Sequence, residues 1–163
     1  MPIENTIQPE LIYINNVLRL RKFDNNYAFA YNWYQDEETV NLVDGVTEPY
    51  NYDKLKNMYE YLNNKGELYF IEIIEHDKFV PIGDVTFWQY DLPIVIGDKN
   101  YRGKGIGKQV VKALINRAID LGYKEIHVRE IYKFNIGSQR LFESLGFVKV
   151  GKTEDGFSYK LTL

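Results

Sequence analysis

The chain has 163 residues, a net charge of −3 at pH 7 and no cysteine. That length is enough for one domain with a hydrophobic core. Without cysteine, a disulfide, a thiolate metal site and a cysteine acyl-enzyme intermediate are all excluded. The slightly acidic balance gives no electrostatic reason to expect nucleic-acid binding, and no apolar run approaches the roughly 20 residues that cross a bilayer.

The first residues of the chain and its two histidines bear on secretion and on metal binding. Residues 1–5 show no basic region followed by an apolar stretch, so we expect no signal peptide and a cytoplasmic protein. His76 and His127 lie far apart in the sequence, and neither forms the cluster of spaced ligands that is typical of a metal site. The sequence therefore predicts no metal site.

Hydrophobic periodicity gives the order of the elements. Alternating apolar residues indicate strands, and apolar residues three and four apart indicate helices. In chain order, the patterns predict a hairpin over 11–20, helices over 24–35 and 53–64, a long hairpin over 68–90, a strand over 93–97, a helix over 108–121, a strand over 125–128, a helix over 136–145 and a final hairpin over 147–163.

The ends of these elements carry further signals. Asp24 is placed to cap the first helix, and the acidic residues around Gly45 predict a solvated connection to the second. No repeat or linker interrupts the order. The sequence therefore predicts one α+β domain built around a mixed, mostly antiparallel sheet flanked by helices.

A glycine-rich turn opens the third predicted helix, with the sequence Arg102-Gly103-Lys104-Gly105-Ile106-Gly107-Lys108. Such a turn lets unpaired backbone N–H groups approach an anion, and the positive end of the helix dipole adds to the attraction. We therefore expect a phosphate ester as the ligand. A P-loop would need glycine in place of Arg102 and a hydroxyl in place of Gln109, and the dinucleotide fingerprint G-x-G-x-x-G is absent. A glycine turn without any ligand is the alternative.

Two motifs resemble those of one enzyme superfamily. Arg102-x-x-Gly105-x-Gly107 resembles the [QR]-x-x-G-x-[GA] signature of the GNAT superfamily of coenzyme A-dependent N-acetyltransferases, whose loop holds the pyrophosphate. The segment from Asn135 to Phe147 resembles that superfamily's N-x-x-[SA]-x-x-[LF]-[YF]-x-x-x-G-F motif, in which the asparagine meets the pantetheine arm.

The similarity is close over about the last 80 residues and looser before them, where 32–36 resembles the ribosomal-protein and aminoglycoside acetyltransferase branches. It implies a single GNAT domain over 1–163 that uses acetyl-CoA. Residues 1–92 would lie mainly on the acceptor side, and 93–163 mainly on the coenzyme A side.

The resemblance also implies which residues hold coenzyme A. In the GNAT fold the strand before the glycine loop parts from its neighbour, so the sheet has a splayed central pair, and the pantetheine hydrogen-bonds to the freed edge. In this sequence that edge is Val95-Ile96-Gly97. The full set implied to contact the cofactor is Val95, Ile96, Gly97, Arg102, Gly103, Lys104, Gly105, Ile106, Gly107, Lys108, Asn135, Ser138 and Phe142. Asn135 also suits the N-cap of its helix, and the two roles are compatible.

Asp91 is the candidate catalytic carboxylate. It lies 11 residues before Arg102, which is where the histone-acetylating branch carries its glutamate, whereas Pro93 occupies the aspartate position of the aminoglycoside-modifying branch. The alternative is that Asp91 belongs to a turn, where aspartate is common. Phe142 departs from the family, because many relatives carry a tyrosine there that protonates the leaving thiolate. Water, Ser138 or a nearby tyrosine such as Tyr132 would substitute for it, or the thiolate would leave without an acid, because a thiol has a pKa of only about 8.5.

Acidic and aromatic residues of the N-terminal half suit a cationic acceptor. Carboxylates and aromatic faces attract ammonium groups, which makes Trp33, Tyr34, Asp36 and Glu38 the candidate substrate-binding residues. A solvated acidic loop beside core aromatics is the alternative. The acceptor would be a small amine, such as an aminoglycoside or polyamine, or a protein N-terminus.

No nucleic-acid or membrane partner is expected, and a homodimer is left open. Two other functions compete with the enzyme. One is a non-catalytic acetyl-CoA-binding sensor on the same fold, and the other is an interaction module in which the glycine turn binds nothing.

Overall fold

The computed structural model describes residues 2–163 and contains two antiparallel sheets. The larger sheet has the order β1-β2-β3-β4-β5, formed by Leu11–Tyr13, Leu18–Lys22, Glu67–Glu75, Lys78–Phe87 and Ile94–Ile96. The smaller has the order β6-β8-β7, in which β6 is Glu125–Tyr132, β7 is Val148–Lys152 and β8 is Gly156–Thr162. The helices are α1 (Glu37–Asp44), α2 (Tyr52–Lys65), α3 (Ile106–Asp120) and α4 (Ile136–Ser144), with 3-10 turns at Ala28–Gln35 and Lys99–Tyr101.

The larger sheet is covered on both faces. Strand residues alternate between the faces, so Phe70 of β3 packs against the 3-10 helix and α2, whereas Ile71 packs with α3. Val111 and Leu114 of α3 are fully buried on that second face. Because both faces are covered, β3 is apolar without interruption from Leu68 to Ile71.

β6 is joined to the larger sheet at one end only. The backbone N–H of His127 donates to the carbonyl of Gln89 at 2.8 Å, and the side chain of Gln89 donates to the carbonyl of Glu125. Among residues 2–163, however, β6 shares a ladder only with β8, and β5 shares one only with β4. β5 and β6 therefore do not pair with each other, and a gap lies between the two sheets.

The α+β fold and most of the predicted elements are confirmed, with three corrections. The predicted helix over 24–35 is a 3-10 helix that starts at Ala28, because Asp24 accepts the N–H of Asn26 instead of capping a helix. The predicted acidic connection contains α1. The carboxylate of Asp36 accepts the N–H of Thr39 at its start, and Gly45, with a φ of 68°, ends it in the left-handed region. The predicted single mixed sheet is divided in two.

No helix within residues 2–163 combines the length and the hydropathy needed to cross a membrane. Over the same range, histidine, aspartate and glutamate side chains form no group of three that could hold a metal ion.

Candidate active site

The gap between β5 and β6 opens into a cavity of about 660 Å³. Its walls come from β5, the first turn of α3, α4, β6 and one face of α1. Most of the predicted site residues line it: Asp91, Val95, Ile96, Arg102, Gly103, Gly105, Ile106, Gly107, Lys108, Asn135, Ser138 and Phe142. The predicted residues outside its wall are Gly97, Lys104, Trp33, Tyr34, Asp36 and Glu38.

The glycine turn presents free N–H groups to one end of the cavity. Gly105 is the N-cap of α3 with a φ of 77°, and no side chain caps the helix. The backbone N–H groups of Ile106, Gly107 and Lys108 donate to no acceptor within residues 2–163. Such groups at a helix N-terminus bind anions. Lys108 and Arg140, which line this end without a carboxylate partner in that range, add positive charge.

The edge of β5 differs in detail from the prediction. Thr86 donates its N–H to the carbonyl of Pro93 at 2.9 Å, and hydrogen-bonding direction alternates along an antiparallel strand. The N–H and C=O of Val95 therefore face β4, and those of Ile94 and Ile96 face the gap. Val95 is therefore corrected as an edge residue. Gly97 packs so closely on Trp33 that a Cβ there would overlap the indole.

The side chain of Arg102 bonds to the end of β5 and to α1. Its Nε donates to the carbonyl of Ile96 at 2.8 Å, and Nη2 donates to Oγ1 of Thr39 in α1 at 2.5 Å. Nη1 lies 3.9 Å from a carboxylate oxygen of Glu38. Arg102 therefore ties the end of β5 to α1, and its contact with coenzyme A stays a prediction.

We expect Arg102→Ala to lower the free energy of unfolding by about 1–3 kcal/mol, because two hydrogen bonds from a charged group are lost. Affinities for acetyl-CoA and for a dephosphorylated pantetheine fragment should fall by equal factors. Urea unfolding and calorimetry measure both effects. Lys124→Ala is the control, since Lys124 is exposed and lies outside the cavity. If only the affinity for acetyl-CoA falls, Arg102 contacts the phosphate groups of the cofactor.

Asp91 is buried at the point where β5 and β6 separate. It lies in the turn after β4 and not on β5, so the turn interpretation is confirmed, and its carboxylate still lines the cavity. Oδ1 accepts the N–H groups of Leu92 and Arg129, both at 3.0 Å. Oδ2 lies 3.8 Å from Nε of Arg129, beyond hydrogen-bonding distance. Burial raises the pKa of Asp91, and the two N–H groups and Arg129 act in the opposite direction.

Two aromatic side chains line the middle of the cavity. Phe142 is 2% exposed and packs edge-to-face on Phe147, with ring centroids 5.1 Å apart. Tyr132 of β6 is half-buried, and burial raises the pKa of its phenol. Its hydroxyl has no hydrogen-bond partner among residues 2–163, whereas the hydroxyl of Tyr101 donates to Glu75 at 2.6 Å. Tyr132 is therefore the lining phenol that is free to donate a proton.

Asn135 and Ser138 occupy the start of α4. The side-chain oxygen of Asn135 accepts the N–H of Ser138 at 3.1 Å, which confirms the N-cap. The cap uses only the oxygen of Asn135. Its amide nitrogen has no acceptor among residues 2–163 and remains free to donate.

The four predicted acceptor residues do not meet at the cavity, which is a correction. Tyr34 is fully buried, and its hydroxyl and that of Tyr59 donate to Oδ2 of Asp84 at 2.7 and 2.9 Å. Burial raises the pKa of Asp84 to about 6. Trp33 is also a core residue, packed against Gly97. Trp33 and Tyr34 therefore belong to the core between the larger sheet and the helices α1 and α2.

The two predicted carboxylates of the acceptor side have structural partners. Asp36 caps α1 and pairs with Lys99 at 2.5 Å, and the Lys99 ammonium lowers the pKa of Asp36 to about 2. The side chain of Glu38 is 67% exposed and points toward Arg102. Residues that the sequence did not identify take their place on this side, namely Thr39, Leu42 and Val43 of α1 and Glu130 of β6.

Residues 18–148 match the family described as "Acetyltransferase (GNAT) domain". The chain belongs to the GNAT acetyltransferase family. This GNAT chain is 35% identical over 95 residues to an uncharacterized protein of Methanocaldococcus jannaschii, covering 55% of the chain and 19% of that protein. It therefore spans only a small part of the length of that curated relative.

Solved structures share the GNAT fold over most of the chain. A domain from Methanocaldococcus jannaschii aligns with a TM-score of 0.76 and 24% identity, covering 90% of this chain and 98% of that one. A spermidine N-acetyltransferase from Vibrio cholerae, in complex with CoA and spermine, aligns with a TM-score of 0.66 and 20% identity, covering 91% and 96%.

Proposed function

We propose that the protein is an N-acetyltransferase that moves an acetyl group from acetyl-CoA directly to a primary amine. One observation carries the proposal: a single cavity connects unpaired N–H groups at the start of α3 with the carboxylate of Asp91, through the gap between β5 and β6. A phosphate-bearing donor and an amine acceptor require opposite charges, and the two ends of this cavity supply them.

The donor end fits coenzyme A. The N–H groups of Ile106, Gly107 and Lys108 would hold the pyrophosphate, and the open space beside Gly103 and Gly105 lets it approach. The backbone of Ile94 and Ile96 and the side-chain amide of Asn135 would pair with the amides of the pantetheine arm. Acetyl-CoA, when bound, supplies the activated thioester.

The acceptor end supplies the chemistry at the amine. Oδ2 of Asp91 is the oxygen left to accept an N–H from a bound amine, since Oδ1 already accepts two. The amine nitrogen forms a bond to the acyl carbon, the carbon–sulfur bond breaks, and the amine loses a proton to the solvent or to Asp91. N–H groups on the free edge of β5 would stabilise the oxyanion, and Tyr132 would protonate the thiolate.

Free-thiol release tests the proposal. The protein is incubated with acetyl-CoA and a panel of primary amines that includes a polyamine, an aminoglycoside and a short peptide, and the liberated thiol is followed. We expect release that depends on one class of amine. Binding of acetyl-CoA without thiol release would instead favour a non-catalytic acetyl-CoA sensor. Phe142 supports that alternative, because it stands where many relatives carry a tyrosine.

We expect Tyr132→Phe to lower kcat by about tenfold or more, because the proposed proton donor is lost. Phe142→Tyr in that background should recover part of the rate, since it places a phenol in the same cavity wall. Steady-state kinetics of both variants and of Phe142→Tyr alone provide the measurement. Unchanged kcat in all three would mean that thiolate departure does not limit turnover.

A further inference from the structure

β6 contains a β-bulge inside the cavity. Val128 pairs with Tyr159 and Ile131 pairs with Phe157, so two residues of β6, Arg129 and Glu130, stand opposite one of β8. Val128 and Ile131 are each 4% exposed and belong to the core on the α3 side. The extra residue therefore turns both Arg129 and Glu130 to the opposite face, where both are exposed.

The two charged residues of the bulge have different partners. The backbone N–H of Arg129 donates to Asp91, and its guanidinium lies beside the same carboxylate. Glu130 forms no ion pair within residues 2–163, although it lines the cavity. By contrast, Asp44 at the end of α1 is paired with Lys54 at 3.1 Å. Glu130 thus brings a carboxylate without an ion-pair partner among the described residues to the wall of the cavity.

Tyr132 follows Glu130 by two residues and so lies on the same face of β6. Its ring stacks on Phe134, with centroids 5.2 Å apart and an interplanar angle of 11°, which fixes its orientation. The ring also approaches Gly45, where a Cβ would lie 3.5 Å from it. Gly45 is the C-cap of α1, whose carbonyl end carries the negative pole of the helix dipole.

Two features of this pocket therefore favour a cation: the Glu130 carboxylate and the Tyr132 ring. Leu42 and Val43 of α1 provide apolar wall beside them. Asp91, which faces the reacting amine, is linked to β6 at Arg129, the residue next to Glu130. A second cation held at Glu130 would thus lie beside the residue of β6 that contacts Asp91.

We propose that Glu130 and Tyr132 bind a second, protonated amino group of the acceptor, so that the preferred substrates are diamines and polyamines. This inference rests on the proposed acetyltransferase function. Glu130 and Tyr132 set the choice of acceptor, and the phosphate-binding N–H groups at the start of α3 do not depend on them.

Putrescine and n-butylamine test the inference, because both have a four-carbon chain and only putrescine carries a second ammonium. We expect kcat/KM of the wild-type protein to be at least about tenfold higher for putrescine. Glu130→Gln should lower kcat/KM for putrescine to about the value for n-butylamine and leave acetyl-CoA affinity unchanged. Glu154→Gln is the matched control, since Glu154 is exposed in the turn between β7 and β8 and outside the cavity.

Two variants of Tyr132 separate its ring from its hydroxyl. Tyr132→Phe keeps an aromatic face and should keep the preference for putrescine, whereas Tyr132→Leu should reduce it. Equal kcat/KM for the two amines, or a preference that survives Glu130→Gln, overturns the inference while acetyl transfer stands. No thiol release with either amine overturns both the inference and the proposed function.

Discussion

Gly105→Val should abolish the stabilisation of the protein by acetyl-CoA. Gly105 has a φ of 77°, which a β-branched residue adopts only with strain, so the first turn of α3 must move. That turn carries the free N–H groups of Ile106, Gly107 and Lys108, which lose their common direction. At one hundred times its dissociation constant, acetyl-CoA should raise the unfolding free energy of the wild-type protein by about 2.7 kcal/mol, and that of the variant by nearly none.

Thermal unfolding with and without acetyl-CoA measures this difference. Gly122→Val is the matched control, because Gly122 has a φ of 79°, no atom within 4 Å of a Cβ, and a position at the other end of α3. It should lower the melting temperature and retain the full shift with acetyl-CoA. An equal shift in Gly105→Val would show that the ligand does not bind at the glycine turn.

Asp91→Asn should lower kcat by about 10²- to 10⁴-fold and leave acetyl-CoA affinity unchanged. Asparagine keeps the oxygen that accepts the N–H groups of Leu92 and Arg129, so β6 should stay in place. The charge is removed, and an NH₂ group replaces the oxygen proposed to face the amine. Steady-state kinetics and calorimetry separate the two effects.

The pH profile gives a second readout for Asp91. The carboxylate must be ionised to accept the amine N–H, and burial raises its pKa above that of an ordinary aspartate. The wild-type rate should therefore fall as pH decreases, starting at a higher pH than an exposed carboxyl would give, and the asparagine variant should lack this limb. Asp98→Asn, which changes a cap of the 3-10 turn after β5, should keep it. Normal turnover in Asp91→Asn would exclude Asp91 and direct attention to Glu130.

The parts of the site that the sequence predicted are local ones. The glycine turn and the N–H groups of α3 belong to one short segment, so their spacing is enough to identify them. The N-cap role of Asn135 is equally local, since its partner Ser138 lies three positions away. Most strands followed from the alternation of apolar residues, because each has a buried face.

The parts that the sequence missed depend on distant partners. Arg102 binds Thr39, 63 positions earlier, and Tyr34 binds Asp84, 50 positions later. Neither hydrogen-bond partner can be predicted from local sequence spacing. The acidic stretch was interpreted as solvated, although Asp36 and Gly45 carry ordinary cap signals for α1. The bulge at Glu130 arises from pairing with β8 and leaves no local pattern.

The gap between the sheets also affects how the protein behaves at high concentration. Unpaired strand edges are templates on which other chains can add a strand, and this is a common route to aggregation. β5 limits that risk in two ways: it has only 3 residues, and the carbonyl of Ile96 is already bonded to Arg102. An edge this short offers hydrogen bonds to an extended small molecule and too few to hold a strand of another copy.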